Sequence, residues 1–209
     1  MAAPTSNPTE RRVMGHRTLV LNVAVLAVST ALVFVVTRIA AVPISAVPGQ
    51  EFDFGDIMIF IFAWTFGERV GGFAGGIGSA ISDFTNGGIY APFTLVIKGT
   101  EGFLAGYFAR RNFRGGRAVS WILASFAMVG GYFITNAYAI GFFFGTNSLL
   151  NPGLLGGLYE VPFDAAQVVA GGIIGRYVSN YLKMSLPPSL LTGRAGSSKG
   201  PKKVEQSKE

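Results

Sequence analysis

Lys98 and Glu101 stand three residues apart in an otherwise apolar run from Pro92 to Ala109, a spacing that places an ammonium and a carboxylate on one helix face. At membrane depth each such group costs about 2.5–3.5 kcal/mol on insertion scales, so it faces a partner or a water-filled cavity. The pair could bind a small molecule, relay a proton or ion, or neutralise itself. The remaining residues narrow the chemistry. There is no cysteine, and the one histidine, His16, lies in a polar N-terminal arm. Thiolate nucleophiles, cysteine-held metals and clusters, and Ser/His or His-metal arrangements are thereby excluded. No enzyme, metal site or cofactor is expected.

The elements that must position Lys98 and Glu101 are greasy. Half of the 209 residues are hydrophobic and 13% are charged, against roughly 25% charged in soluble domains. The expected fold class is an all-α integral membrane protein with six transmembrane helices. Residues 1–17 form a polar cytoplasmic arm, 18–183 a six-helix substrate-binding domain, and 184–209 a Ser, Gly, Pro and Lys-rich disordered tail. The spans are expected at Thr18–Val42, Ile57–Phe66, Val70–Ser82, Pro92–Ala109, Ala118–Gly145 and Leu155–Leu182. The first is too long for a signal-peptide core and has no convincing cleavage site. The second, ten residues, covers only about 15 Å, half a hydrocarbon core, and needs help to span. In the third, Gly71, Gly75 and Ser79 beside Gly72, Gly76 and Ala80 make two small-residue faces that let another backbone approach closely.

Charge sets the orientation. Of the seventeen Lys and Arg residues, all but Arg38 and Lys98 fall in the N-terminal arm, at Arg69, from Arg110 to Arg117, or at the C-terminal end. The positive-inside rule then puts both termini in the cytoplasm of a multi-pass cell-membrane protein. This placement, rather than nucleic acid, accounts for the net charge of +6. Trp64 and Trp121 are expected as interface anchors, and Arg38 to snorkel or meet a carboxylate. The acids run the other way: Glu51, Asp53, Asp56, Asp83, Glu160 and Asp164 all belong to outer loops or outer helix halves. Early helix ends at Asp56 and Asp83 suggest a wet depression open to the outside, with Tyr90, Phe93, Tyr132 and Tyr159 adding aromatic surface. Lys98 is expected to pair with Glu101, Asp83 or Asp164 before it meets a ligand. For Tyr132, Asn136 and Gln167, helix packing and ligand contact compete evenly.

The order Gly55-Asp56, a glycine-rich third span ending at Asp83, Tyr90-Ala-Pro-Phe-Thr-Leu, Ile97-Lys98-Gly99 with Glu101-Gly102, Gly131-Tyr132-Phe133, and Val161-Pro162-Phe163 with Gln167 resembles the substrate-binding S components of energy-coupling factor (ECF) vitamin transporters. The riboflavin-type group is the nearest, over about residues 18–182. The resemblance implies capture of a vitamin or vitamin precursor, riboflavin first, from the outside, with the loop between the first two spans as a lid. It implies docking through Ala24, Ala27 and Ala31 on a transmembrane coupling subunit driven by two cytoplasmic ATPases. The chain has no Gly-x-x-x-x-Gly-Lys-[Ser/Thr] loop, so a partner must hydrolyse ATP. The substrate-binding set is then Asp56, Asp83, Tyr90, Phe93, Lys98, Tyr132, Asn136, Asp164 and Gln167. Two departures stand out: Gly67-Glu68-Arg69 replaces the frequent Gly-Pro, and Pro162-Phe163-Asp164 replaces Pro-Phe-Asn. Asp164 is open to two roles, accepting a ligand's donors or neutralising Lys98. The competing functions are a stand-alone secondary transporter or channel using Lys98, Glu101 and Asp164, and a membrane scaffold without a ligand.

Overall fold

The computed structural model describes residues 8–44, 51–111, 115–140 and 153–192. Helix α1 runs Pro8–Ile39, and a short antiparallel hairpin follows, β1 Val42–Pro43 with β2 Glu51–Phe52, in the register Val42 to Phe52 and Pro43 to Glu51. Then come α2 Gly55–Phe66, α3 Glu68–Thr85, α4 Ala91–Ala109 and α5 Gly116–Ile134, which continues as a π-helical turn, Thr135–Ala139. Helices α6, Leu154–Ser185, and α7, Pro188–Thr192, complete the order.

Several boundaries differ from expectation. Helix α1 begins ten residues before Thr18, inside the expected arm, and α7 falls inside the expected tail. Helix α3 has 18 residues rather than thirteen, about 27 Å at 1.5 Å per residue. Asp83 therefore sits in its last turn and not beyond it. The outer part of the expected fifth span, from residue 141, and the loop to residue 152 lie outside the described residues, as do residues 1–7 and 193–209. By length and composition, two helical stretches, His16–Ile39 and Gly116–Ala139, could cross a membrane, and α2 is a shorter apolar helix.

The short α2 is the hub. It packs on α1, α3, α4 and α6, and Ile59, Phe60 and Ala63 are fully buried. The help it needs is therefore protein, which surrounds a segment too short to be bounded by lipid at both ends. The chain is led into α2 by Asp53, whose Oδ1 accepts the Gly55 N–H at 2.5 Å, a turn in which an Asp side chain bonds the backbone two residues on.

Small residues hold α3 against its neighbours. A Cβ at Gly71 would stand 2.6 Å from Gly102 O, one at Gly75 2.8 Å from Lys98 O, and one at Gly76 2.7 Å from Leu95 O. The expected glycine faces are thus the α3–α4 seam, where backbones touch and no side chain fits. Gly78 does the same toward α1, with Thr30 O at 2.8 Å from its would-be Cβ. On α6, Gly171 and Gly175 admit α2, the latter with Phe60 Cβ at 2.8 Å.

Trp64 departs from the anchor reading. Trp64 is buried, and its Nε1 donates to Ser120 Oγ at 3.1 Å. Trp121 packs over Gly172 and donates to Val168 O at 2.8 Å. Both indole N–H groups are satisfied within the protein, Trp64 as a core side chain and Trp121 from a half-buried position. Arg38 is exposed and meets no carboxylate among the described residues.

Candidate functional site

Four helices bring polar side chains to one buried layer. On α4, Thr94, Ile97, Lys98, Glu101 and Gly102 are all buried, the i, i+3, i+4, i+7 pattern of an inward face. On α6, Glu160, Asp164 and Gln167 are buried at the same kind of spacing. Asp56 comes from the first turn of α2, and Asn136 from the π-helical turn after α5. A π turn widens the helix by one residue and recurs at functional sites. Here it places Asn136 between two elements: Tyr90 Oη donates to Asn136 Oδ1, while Asn136 Nδ2 donates to Glu160 Oε2 and to Tyr132 O at 3.1 Å.

Lys98 is 2% exposed and lies at the centre. Its Nζ donates to Asp56 Oδ1, and Glu101 Oε2 lies 3.9 Å away. Its charge also lies 5.5 Å from the Tyr132 ring centroid, within cation–π range. The expected pairing with Glu101 is present, whereas those with Asp83 and Asp164 are not, and Asp56 takes their place. Helix α4 packs on both α3 and α2, but Asp83 of α3 is taken up by Thr94, which leaves Asp56 in the first turn of α2 to meet Lys98. Asp83 Oδ2 instead accepts from Thr94 Oγ1, which lies 3.0 Å from Tyr132 Oη.

The space between these groups is small. Glu51, Asp53, Asp83 and Lys98 on one side, with Met128, Tyr132, Glu160, Asp164 and Gln167 on the other, line a cavity of about 20 Å³, the room one water needs. The wet, open depression expected from early helix ends is therefore narrow, with Glu51, Asp53 and Asp83 half-exposed at its rim. The residues after β2 cover it, and Gln167 ties them down by accepting the Asp53 N–H at 3.3 Å while Nε2 faces Asp164 Oδ1 at 3.5 Å. With the amide turned over, its nitrogen donates to Asp53 Oδ2 at 3.2 Å and Asp53 O at 3.1 Å. Either orientation joins this loop to α6. Burial pushes the Asp53 carboxyl up to about 6, with Lys98 pulling it down and Asp56 pushing it further up.

Of the residues singled out from sequence, Asp56, Asp83, Tyr90, Lys98, Tyr132, Asn136, Asp164 and Gln167 are joined in this layer. Phe93 is half-buried against the adjoining apolar cluster. Tyr159 is not part of it: it is 53% exposed and its ring lies against Phe163, because it is one position off the Glu160 face. Sequence reasoning omitted Thr94 and Met128, and it left Glu51, Asp53 and Glu160 as general acids rather than site residues. Thr94 and Glu160 were marked by spacing, each four residues before Lys98 or Asp164 on the same helix. Met128 carried no such signal.

On α1, Ala24, Ala27 and Ala31 are all exposed. Beside Ala24 an apolar groove of about 290 Å³ runs between Val28, Phe62, Phe66 and Leu182.

Residues 18–184 match the model of the family described as ECF-type riboflavin transporter, S component. The chain belongs to this family. Among its relatives is a Pyrococcus woesei protein described as "Uncharacterized protein in gap 3'region", 41% identical over 159 residues, covering 76% of this chain and 99% of the relative. The thiamine precursor transporter HmpT of Lactococcus lactis subsp. cremoris is 31% identical over 155 residues, 74% of this chain and 82% of that one. The fold matches a solved structure described as the S component of a bacterial ECF transporter, with a TM-score of 0.52, 19% identity, and coverage of 80% of this chain and 98% of the other. This S component is thus a helical membrane protein and a transporter's substrate-binding subunit.

Proposed function

We propose that this S component captures a vitamin or vitamin precursor in the layer around Lys98. It then hands the cargo inward with energy from two ATPases acting through a transmembrane coupling subunit. The observation that carries the reading is the convergence of α2, α4, the π turn and α6 on one buried polar layer, which the residues after β2 cover. A scaffold needs no such layer, and burying these carboxyls is costly unless something is bound or protonated there.

The bundle comprises six spans with both termini cytoplasmic, residues 18–183 forming the substrate-binding domain. Asp56, Asp83, Tyr90, Phe93, Lys98, Tyr132, Asn136, Asp164 and Gln167 form the binding set. In this role the hairpin and the loop after it are the lid, since the cavity is far smaller than any vitamin. Ala24, Ala27 and Ala31 dock on the coupling subunit, a role supported by their exposure and by the apolar groove beside them. Riboflavin is the first candidate from the family's name, and a thiamine precursor the second from that of HmpT.

The test is a thermal-shift screen of the purified protein in detergent against vitamins and their precursors. Stabilisation grows with the ratio of ligand concentration to Kd, about 2.7 kcal/mol at a hundredfold excess. One compound should raise the melting temperature strongly. A folded protein that no compound stabilises would overturn the proposal and return attention to gradient-driven flux in liposomes.

A further inference from the structure

The charges lining the cavity do not balance. Glu51, Asp53, Asp83, Glu160 and Asp164 reach it, against the single ammonium of Lys98. That ammonium is already matched, because Asp56 accepts from it directly and Glu101 lies 3.9 Å away. The hydrogen bonds the other acids make here come from neutral donors. Asn86 Nδ2 donates to Glu51, the Gly55 N–H to Asp53, Thr94 to Asp83 and Asn136 to Glu160.

Asp164 is the least satisfied of them. It is 2% exposed, lines the cavity, and its Oδ2 has no hydrogen-bond partner among the described residues. Its Oδ1 has only the long contact from Gln167 at 3.5 Å. A buried carboxylate oxygen without a donor is costly, more so than a neutral polar atom. An anionic ligand would add to that cost. A ligand bearing N–H donors or a positive charge would remove it, and Tyr132 beside Lys98 supplies an aromatic wall.

Building on the reading of this layer as a vitamin site, we propose that it selects a small amino-bearing or cationic heterocycle, and that Asp164 Oδ2 accepts the ligand's N–H donor. Lys98 is then a structural counter-ion for Asp56 rather than an anchor for an anion. Asp164 sets specificity by charge: an amide at that position would offer one acceptor and one donor, whereas the carboxylate accepts at both oxygens. Selection of this kind is strong because a ligand without the donor leaves the acceptor buried and unpaired.

The test is calorimetric titration of the purified full chain with four probes: 4-amino-5-hydroxymethyl-2-methylpyrimidine, the analogue with oxygen in place of its 4-amino group, riboflavin, and the anion pantothenate. The aminopyrimidine should bind best, the oxygen analogue about 10- to 100-fold more weakly, as for loss of a hydrogen bond to a charged group, and pantothenate not at all. Asp164→Asn should weaken the aminopyrimidine by a similar factor without lowering the melting temperature of the unliganded protein. If Asp164→Asn does not fold, the amino and oxygen analogues on the unmodified chain decide the matter alone. Tighter binding of riboflavin or pantothenate, or an aminopyrimidine affinity indifferent to the 4-amino group or to Asp164→Asn, overturns this inference and leaves vitamin capture standing. Failure of all four probes on a folded protein, together with an empty vitamin screen, overturns both.

Discussion

Lys98, Asp56 and Glu101 form a buried cluster in which one cation meets two acids. Removing one member of such a cluster strands the others, which costs about 3–5 kcal/mol, whereas removing a matched pair is often neutral. Lys98→Met should therefore lower the melting temperature sharply, and adding Asp56→Asn to it should restore much of the loss. A double-mutant cycle on thermal stability in detergent checks this. Strictly additive losses would show that the two side chains are not coupled. Glu101 is expected to matter less when mutated alone, because both its oxygens lack a hydrogen bond among the described residues and its contact with Lys98 is long, at 3.9 Å.

At the level of elements, the α3–α4 seam depends on glycines with no room for a methyl group, while α5 carries one with ample room. A Cβ at Gly75 would press on Lys98 O at 2.8 Å, but a Cβ at Gly130 would meet nothing within 4 Å. Gly75→Ala should separate α3 from α4 and destabilise the protein by about 1–3 kcal/mol, as overpacking does. Because Lys98 sits on that seam, the same change should weaken ligand binding. Gly130→Ala has the opposite sign, a gain of about 0.5–1 kcal/mol from helix propensity and a less flexible unfolded chain. Melting temperatures of the two variants side by side provide the comparison, and equal effects would remove the seam's special status.

Across the whole molecule, the proposed capture site and the proposed docking face occupy different surfaces. The polar layer lies between α2, α4 and α6, whereas the exposed alanines of α1 face away from the bundle. Ala27→Leu and Ala31→Leu should leave ligand affinity unchanged within about twofold, since exposed sites away from packed features are usually near neutral. They should nevertheless abolish uptake in cells carrying the coupling subunit and ATPases, by filling the face on which a partner helix would pack closely. Uptake and calorimetric affinity measured on the same variants separate these effects. Uptake that survives both substitutions would place the docking face elsewhere.

Local composition and spacing determined much of this. Six apolar segments, the glycine seam, the inward face carrying Lys98 and Glu101, and the acids gathered toward one end are all visible in the chain, because helical periodicity and side-chain size are local properties. The motif order from Gly55-Asp56 to Gln167 was enough to reveal the family. Tertiary structure decided what depends on which helices become neighbours. It gave Lys98 to Asp56 rather than to Asp83 or Asp164, with Asp83 bonded to Thr94 instead. It buried Trp64, turned Tyr159 outward, and narrowed the expected depression by joining Asp53 to Gln167, 114 residues away. Each of these is a long-range contact, set by the packing of whole helices, and no window of sequence contains both partners.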